Sequence, residues 1–378
     1  MTGGMPAGEG ASPEPTVPVD QGIVQLVRET LERPDEGWGR VEAAERFTGT
    51  GVWRIRIEVD GAERTFIAKR LSARDSSISA AVVNRWLPLT GLGPYSAPLL
   101  GVSGADENGD VWHLYEDLGD LTLDRNSRTG AAVPKGNAKR GFLSPQPLEP
   151  VAERARAAIV ALSEVHAGFS GHPVLEECRC LCPDRGVDFL ESSVLSAVHS
   201  LEALGGSSIE LSAEQDAIRR RLLAPLGQLM NEIPTRAAEI AELGGADTLL
   251  HGDFHDRNVI VYQERGAWRV RLIDWAHAGV GPVSYDLSQF LLHYRQEDRQ
   301  TILAWYTDTA SPTGRWPTNC EWNAMFDTAE RSRIASSAAW LAATAVQAPS
   351  EWVFQELAAV ESWFRLLAPV LPTFSVPT

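Results

Sequence analysis

The eight-residue segment His251–Asn258, with the sequence HGDFHDRN, most constrains the structure and chemistry of this 378-residue chain. Within the segment, Asp253 precedes Asn258 by five residues, and a second acid, Asp274, follows farther along the chain. The residues between Asn258 and Asp274 form two apolar runs around a Glu-Arg-Gly turn, which predicts a pair of short strands. The pattern therefore predicts a hairpin with an acid and an amide in the loop before it and another acid just after it.

Two carboxylates and an amide in this order suit phosphoryl transfer from ATP. In that reaction one carboxylate orients the acceptor hydroxyl and takes its proton, while an amide oxygen and a second carboxylate hold Mg²⁺ against the phosphates. The metal neutralises charge that develops during transfer. The alternative is that Asp253 and Asp274 only cap turns, but the combined order of loop, strands and turn favours the catalytic interpretation.

The same residues resemble the catalytic loop of the aminoglycoside phosphotransferase and choline kinase-like families, distant relatives of protein kinases. The protein-kinase pattern H-R-D-x-x-x-x-N becomes His-Gly-Asp followed by Asn258, and Ile-Asp-Trp around Asp274 replaces D-F-G. The resemblance implies that Asp253 is the catalytic base and that Asn258 and Asp274 bind Mg²⁺ beside the nucleotide. It also implies ATP as the phosphate donor and a small-molecule hydroxyl as the acceptor.

Upstream of this segment, alternating apolar and polar residues predict three antiparallel strands at residues 41–47, 52–59 and 65–71. By resemblance they form the ATP-binding lobe, whose first turn would lay backbone N–H groups over the phosphates, with Lys69 contacting them from the third strand. The residues of that turn are Thr48, Gly49, Thr50 and Gly51. Taken alone the turn is an ordinary hairpin and Lys69 a solvated lysine, but their position before the catalytic loop favours phosphate contacts.

A helix is predicted at residues 76–87, with Ser76 or Ser77 as its cap. In kinase-like proteins this helix supplies a glutamate that pairs with the strand lysine, yet no glutamate occurs between Glu63 and Glu107. This sequence departs from the family pattern here. Three alternatives stay open: Asp75 pairs with the lysine, a polar group such as Asn84 does so, or the lysine is held by nucleotide alone.

The following strand, residues 111–115, runs into Glu-Asp-Leu-Gly. By resemblance this exit is the hinge between two lobes, where the backbone of Glu116 and Leu118 would bind the adenine edge. The predicted fold class is α+β, a bilobal protein-kinase-like fold with a small antiparallel β N-lobe and a larger, mainly helical C-lobe. Residues 1–20 are expected to be a disordered tail because they are rich in Gly and Pro, residues 21–118 the N-lobe, and residues 119–378 the C-lobe.

The predicted C-lobe contains apolar periodicity for helices at 153–166, 187–204 and 213–233, and residues 301–371 are also expected to be mostly helical. Asp286 follows a Gly-Pro turn, where it either supports the catalytic loop or caps the next helix. Three cysteines at C-x-C-x-C spacing, together with His172, offer ligands for a zinc ion, although zinc sites usually have C-x-x-C spacing. These cysteines are Cys178, Cys180 and Cys182.

The formal charge of −16, from 34 basic and 50 acidic residues, argues against a general nucleic-acid or anionic-membrane surface and is compatible with a cationic small molecule. No apolar stretch approaches the ~20 residues that span a bilayer, and no signal pattern opens the sequence, so a cytoplasmic protein is expected. The favoured function is ATP-dependent phosphorylation of an antibiotic hydroxyl, on an aminoglycoside or another drug. A metabolic kinase of the choline, homoserine or sugar type is the alternative, and a pseudokinase that binds without turnover is a weaker one.

Overall fold

The structure is a computed structural model that describes residues 21–30, 38–46, 51–59, 62–123, 145–149, 151–206, 209–310 and 315–373. The chain divides into two compact units. The first, called the sheet unit, contains the chain up to Ser76 together with Pro98–Asp117. The second, called the helical unit, contains Ser77–Ala97 and the chain from Leu118 onward. An antiparallel sheet in one unit and mostly helices in the other confirm the predicted α+β class.

The sheet unit is built on a five-stranded antiparallel sheet in the order β1-β2-β3-β5-β4. Its strands are β1 Trp38–Arg46, β2 Val52–Val59, β3 Ala62–Ser72, β4 Leu99–Val102 and β5 Asp110–Glu116. Helix α1, Gln21–Thr30, packs its apolar residues into a core with Phe66 and Ala68 of β3. Since side chains alternate across a strand, Lys69 lies on the opposite face of β3 from this core.

The predicted helix after β3 begins earlier than expected. Helix α2 spans Ala73–Ala81 and continues through a π-helical turn, Val82–Trp86, to Leu87–Leu89. The backbone N–H of Asp75 donates to Oγ of Ser72 at 3.2 Å, so Ser72 supplies the cap. The prediction that Ser76 or Ser77 caps the helix is therefore wrong, and the Ser76 hydroxyl instead bonds to Nε2 of His113 at 2.7 Å.

The helical unit contains eight α-helices of eight or more residues within the part of the chain that the structure describes. They are α3 Ala152–Phe169, α4 Val174–Leu181, α5 Val187–Gly206, α6 Ala213–Leu243, α7 Ser284–Leu292, α8 Gln296–Thr309, α9 Asn319–Gln347 and α10 Glu351–Leu366. The predictions of helices at 153–166 and 187–204 and of a mainly helical C-terminal part are confirmed. Helices α5, α6, α9 and α10 share one buried core, in which Leu201, Leu222, Ala338 and Leu357 lie at most 1% exposed.

Four short strands pair two by two inside the helical unit. They are β6 Thr248–Leu250, β7 Val259–Glu264, β8 Ala267–Leu272 and β9 Gly279–Gly281. Strand β6 pairs with β9, and β7 pairs with β8 in the predicted hairpin. The loops that link these two pairs carry the candidate catalytic residues. None of the helices described above is long and apolar enough to cross a membrane.

Candidate active site

The loop from His251 to Asn258 connects β6 with β7, and Asp274 follows directly after β8. Val259 is paired with Leu272 in the hairpin register, so the start of β7 lies beside the end of β8. The register is continued by a hydrogen bond of 2.9 Å from the backbone N–H of Ile273 to the carbonyl of Asn258. The hairpin thus brings the residue before Asp274 against the last residue of the loop.

Asp253 lies at the centre of the loop with its carboxylate held by three side chains. Asn258 Nδ2 donates to the Asp253 backbone oxygen at 2.9 Å and to Oδ2 at 3.0 Å. His255 Nε2 lies 3.3 Å from the same Oδ2, and Gln289 Nε2 donates to Oδ1 at 2.7 Å. The Asp253 side chain is still 31% exposed, so the fixed carboxylate is accessible to a bound molecule.

The charge of Asp253 is set by opposing effects. Burial raises the pKa of this carboxyl. The hydrogen bond and charge of His255, the interaction with His277 and the Gln289 hydrogen bond lower the pKa by more, so it lies below its ordinary value. For His255 the directions are reversed. Burial lowers the pKa of this histidine, but its hydrogen bond to Asp253 and the charges of Asp253 and Asp256 raise the pKa above its ordinary value. Asp253 is therefore a carboxylate at neutral pH, suited to accept a hydrogen bond from a hydroxyl.

His251 is a structural member of the loop. Its Nδ1 accepts the backbone N–H of Asp253 at 3.4 Å, so Nε2 carries the hydrogen that bonds to the carbonyl of Ile273 at 2.9 Å. Burial lowers the pKa of His251, with partial compensation from Asp286, Asp253 and Asp274, which keeps the ring neutral. Its ring also contacts that of Trp275 at 4.6 Å between centroids. A base role for His251 is not supported, because both of its nitrogens are used within the loop.

Asp286 lies beneath the loop, completely buried. Its Oδ2 accepts the backbone N–H of His251 at 2.7 Å, and its Oδ1 accepts that of Gly252 at 2.9 Å. Burial raises the pKa of Asp286, but its hydrogen bonds to His166 and to the backbone N–H of Gly252 lower it overall. Asp286 is the third residue of α7, so the interpretation of this acid as a helix cap is wrong and its support of the loop is direct.

Asp274 has a left-handed backbone with φ 69° and ψ 54°. This conformation is uncommon for residues with a side chain, although Asp tolerates it better than most, and such outliers cluster at functional sites. The residue before Asp274 is held in place, because Ile273 is bonded to the 251–258 loop through both its N–H and its carbonyl. The neighbouring Trp275 is buried and donates Nε1–H to the carbonyl of Leu272 at 3.1 Å.

The chemistry of Asn258 and Asp274 fits a magnesium ion. The Asn258 amide nitrogen is directed to Asp253, which leaves its amide oxygen as the free ligand atom, and Asp274 adds a carboxylate. Oxygen ligands of this kind are those that Mg²⁺ takes, usually with only one or two carboxylates and the substrate phosphates. The cysteines differ: Cys178, Cys180 and Cys182 are not joined in disulfides, and no group of three or more His, Cys, Asp and Glu in the described ranges is placed to hold a metal.

The structure describes some of the sheet-unit residues that are predicted to contact the nucleotide. Lys69 lies in β3 opposite Val52 on one side and His113 on the other. Gly51 accepts the backbone N–H of Arg70 at 2.8 Å, whereas Thr48, Gly49 and Thr50 lie outside the described residues. Glu116 ends β5, and its N–H donates to the carbonyl of Pro98 at 3.2 Å.

The chain passes from the sheet unit to the helical unit after Ser76 and again after Asp117, and the role of residues 116–119 as a hinge stays a prediction. Asp117 is bonded to Arg54 of β2 by an ion pair of 2.8 Å. The structure also places the two residues that were predicted as alternative partners of Lys69. Asp75 accepts the hydroxyl of Ser72 at 2.8 Å, and Asn84 is solvent-exposed in the π-helical turn.

Sequence reasoning missed two residues of the candidate site. Gln289 binds the Asp253 carboxylate from α7, and His166 of α3 lies 3.3 Å from Asp286 through Nε2. The His166 Nδ1 in turn bonds to the hydroxyl of Tyr306 at 2.9 Å. A usable signal existed only for Gln289, since a polar residue three positions after Asp286 shares its helix face.

Comparison with known proteins gives a family and a fold. A model of the phosphotransferase enzyme family matches residues 54–317, a stretch that contains all of the loop, hairpin and α7 residues above. No curated protein matches the sequence.

Solved structures are similar over nearly the whole chain but at low identity. A spectinomycin phosphotransferase, in complex with ADP and spectinomycin, has a TM-score of 0.57 and 12% identity, covering 94% of this chain and 97% of its own. An ethanolamine kinase from Plasmodium vivax has a TM-score of 0.52 and 12% identity, covering 86% of this chain and 81% of its own. A choline kinase from Cryptosporidium parvum has a TM-score of 0.50 and 11% identity, covering 91% of this chain and 93% of its own. These similarities establish the kinase-like fold of the chain.

Proposed function

Because the chain belongs to the phosphotransferase enzyme family, we propose that it transfers the γ-phosphate of ATP to a hydroxyl group of a small molecule. One observation carries the proposal: Asn258 bonds through its side chain to Asp253 and through its carbonyl to the residue before Asp274. Asn258 thus connects Asp253 with the segment that carries Asp274, and these three residues supply the groups that the reaction requires.

In the proposed reaction, Asp253 accepts a hydrogen bond from the acceptor hydroxyl and aligns its oxygen with the γ-phosphorus. The hydroxyl oxygen forms the new P–O bond, the bond to the leaving ADP breaks, and the hydroxyl proton passes to the Asp253 carboxylate. A low pKa makes Asp253 a weak base, which suits a reaction in which proton transfer comes late and orientation contributes most.

Asn258 and Asp274 would hold Mg²⁺ through the amide oxygen and the carboxylate. A divalent ion there would neutralise charge on the phosphates during transfer. The backbone before Asp274 is held in place, because the flanking Ile273 makes two hydrogen bonds to the loop.

The nucleotide contacts of the proposal come from the predicted N-lobe, residues 21–118. Lys69 would contact the phosphates, with the backbone from Thr48 to Gly51, and Glu116 and Leu118 would hold the adenine edge. The predicted C-lobe, residues 119–378, would bind the acceptor. The Glu116 N–H already bonds to Pro98, so its carbonyl is the atom to offer the base.

The acceptor class that we propose first is an antibiotic, an aminoglycoside or another drug with a free hydroxyl. The formal charge of −16 favours a cationic acceptor, although a metabolic amino alcohol would satisfy the same condition. Fold alone does not choose between the two, since one fold serves many substrates. Choline, homoserine and sugar kinases are therefore the alternative within the same reaction.

The decisive experiment measures ADP release and phosphorylated product by ³¹P NMR with ATP, Mg²⁺ and a panel of acceptors. The panel contains spectinomycin, several aminoglycosides, a macrolide, choline, ethanolamine, homoserine and simple sugars. Asp253→Ala should reduce kcat by at least about a hundredfold while ATP binding stays within a few-fold of wild type. Asp308→Ala, at an exposed position of α8, is the matched control and should retain full activity.

Two results would contradict the proposal. Equal turnover in the wild type and in Asp253→Ala would remove Asp253 from the base position. If the wild-type protein binds ATP but neither hydrolyses it nor phosphorylates any acceptor, the pseudokinase alternative would be favoured instead.

A further inference from the structure

Gln289 is a buried residue of α7, 4% exposed, whose Nε2 donates to Oδ1 of Asp253 at 2.7 Å. It lies three residues after Asp286, and residues at this spacing share one face of a helix. The same face of α7 therefore binds the loop twice. Asp286 holds the backbone at His251 and Gly252, and Gln289 holds the side chain of Asp253.

The two oxygens of Asp253 are used unequally. Oδ2 lies within reach of both Asn258 and His255, whereas Oδ1 is bonded to Gln289 alone among the described residues. Each oxygen of an ionised carboxylate offers about two acceptor positions. Oδ2 is thus filled and Oδ1 has one position left, on a side chain that is 31% exposed.

The Gln289 amide does not use its oxygen in a hydrogen bond within the described part of the chain. Its Oε1 is buried and accepts no hydrogen bond from any residue in the described ranges. A buried acceptor without a partner costs folding free energy, and an apolar side chain of similar length would fill the same space without that cost. The orientation of the amide is also fixed, because a flipped amide would direct an oxygen at a carboxylate. The site therefore selects a neutral donor that faces Asp253.

We propose that Gln289 is a positioning residue for phosphoryl transfer: its Nε2–H fixes the Asp253 carboxylate so that the open position of Oδ1 faces the acceptor hydroxyl. The inference rests on the proposed function, in which that hydroxyl transfers its proton to Asp253 as the P–O bond forms and the bond to ADP breaks. Gln289 itself touches neither the acceptor nor the nucleotide. It acts through Asp253, and a loss of alignment should therefore affect the chemical step and not ATP binding.

The test compares Gln289→Met and Gln289→Glu with the wild type. Methionine matches the length without a donor, and glutamate matches the shape but places a second carboxylate against Asp253. We expect kcat to fall by at least about tenfold in both variants, with KM for ATP unchanged within about twofold. The melting temperature of Gln289→Met should equal or exceed that of the wild type, because the orphaned oxygen is gone. Gln355→Met, at an exposed position of α10, is the control and should match the wild type in every measurement.

The outcomes separate this inference from the function on which it rests. Full activity of Asp253→Asn would overturn the proposed function itself. An inactive Asp253→Asn beside a Gln289→Met with kcat within about twofold of wild type would overturn only the role of Gln289. The role of Gln289 is also overturned if Gln289→Met keeps the wild-type kcat and shows only a raised KM for ATP or a lower melting temperature. If the methionine variant does not fold, the same criterion applied to Gln289→Glu decides.

Discussion

The carboxylate of Asp286 and the backbone N–H of Gly252 form a hydrogen bond of 2.9 Å in a fully buried environment. The second oxygen of the same carboxylate accepts the N–H of His251 at 2.7 Å. Two consecutive backbone donors thus meet two acceptor atoms on one side chain. An ionised carboxylate provides this pair of acceptors, whereas an amide of the same shape provides one acceptor and one donor.

Asp286→Asn should therefore destabilise the protein strongly. One of the two N–H groups would face an NH₂ group, and His166 would lose its anionic partner. Breaking a buried charged network by changing one member costs about 3–5 kcal/mol, which should appear as a lower urea midpoint followed by circular dichroism. Asp308→Asn removes the same charge from the surface and should change stability by less than about 0.5 kcal/mol. Equal midpoints for the two variants would show that Asp286 does not support the loop.

Gly252 is required for two separable reasons. Its φ is +81°, and a Cβ placed there would lie 1.8 Å from the carbonyl oxygen of His277. Gly245, in the same unit, has φ +72° with nothing within 4 Å of such an atom. Gly245→Ala should therefore cost about 1–2 kcal/mol for the left-handed backbone alone. Gly252→Ala should cost at least about 2 kcal/mol more, because the clash with a fixed carbonyl is added. Urea unfolding of both variants measures the difference, and equal losses would mean that the loop relaxes away from His277.

The hairpin of β7 and β8 was predictable because every signal that defines it is local. Apolar alternation sets both strands, and the Glu-Arg-Gly turn supplies Arg265 and Gly266, which adopt φ of 51° and 81°. The order of Asp253, Asn258 and Asp274 around this hairpin was visible for the same reason. The assignment of their chemical roles stays a prediction.

Features that depend on distant packing were not predictable. The predicted end of α6 at residue 233, just before Pro234, is wrong, since the helix continues to Leu243. Helix α6 packs against α5, α9 and α10 in the shared core, and this packing outweighs the local tendency of Pro234 to end a helix. The spacing of Gln289 from Asp286 places it on the same helix face, but its contact with Asp253 spans 36 residues of sequence, so the spacing does not identify this partner.

The buried His113 makes stability depend on pH. Burial, with a smaller contribution from the charge of Lys69, lowers the pKa of His113 from 6.5 to about 4. Between these values the unfolded chain binds more protons than the folded one, so stability falls as the pH drops from 6.5 towards 4.

The difference between the pKa of His113 in the unfolded chain and in the folded protein should lower the free energy of unfolding by about 2 kcal/mol between pH 7.5 and pH 5. Urea midpoints at the two pH values measure this loss. His113→Gln has no ring to titrate and should show a smaller pH-dependent loss, while the exposed His199→Gln should behave as the wild type does. An identical pH dependence in wild type and His113→Gln would assign the effect to other groups.

The charge of the chain leads to a last prediction, about the acceptor. A protein with a formal charge of −16 should attract a cationic acceptor at low salt, and this attraction is screened as ionic strength rises. The Debye length falls from about 30 Å at 0.01 M salt to about 10 Å at 0.1 M. We therefore expect KM for the best acceptor to rise severalfold over this range at saturating ATP. An uncharged hydroxyl compound from the same panel is the control, and its KM should stay constant.

If the best acceptor is neutral or anionic, or if its KM does not respond to salt, the proposal that the acceptor is an aminoglycoside is rejected. The proposed phosphoryl transfer to another antibiotic or to a metabolite would then stand, because the roles proposed for Asp253, Asn258 and Asp274 do not depend on which hydroxyl reaches the loop.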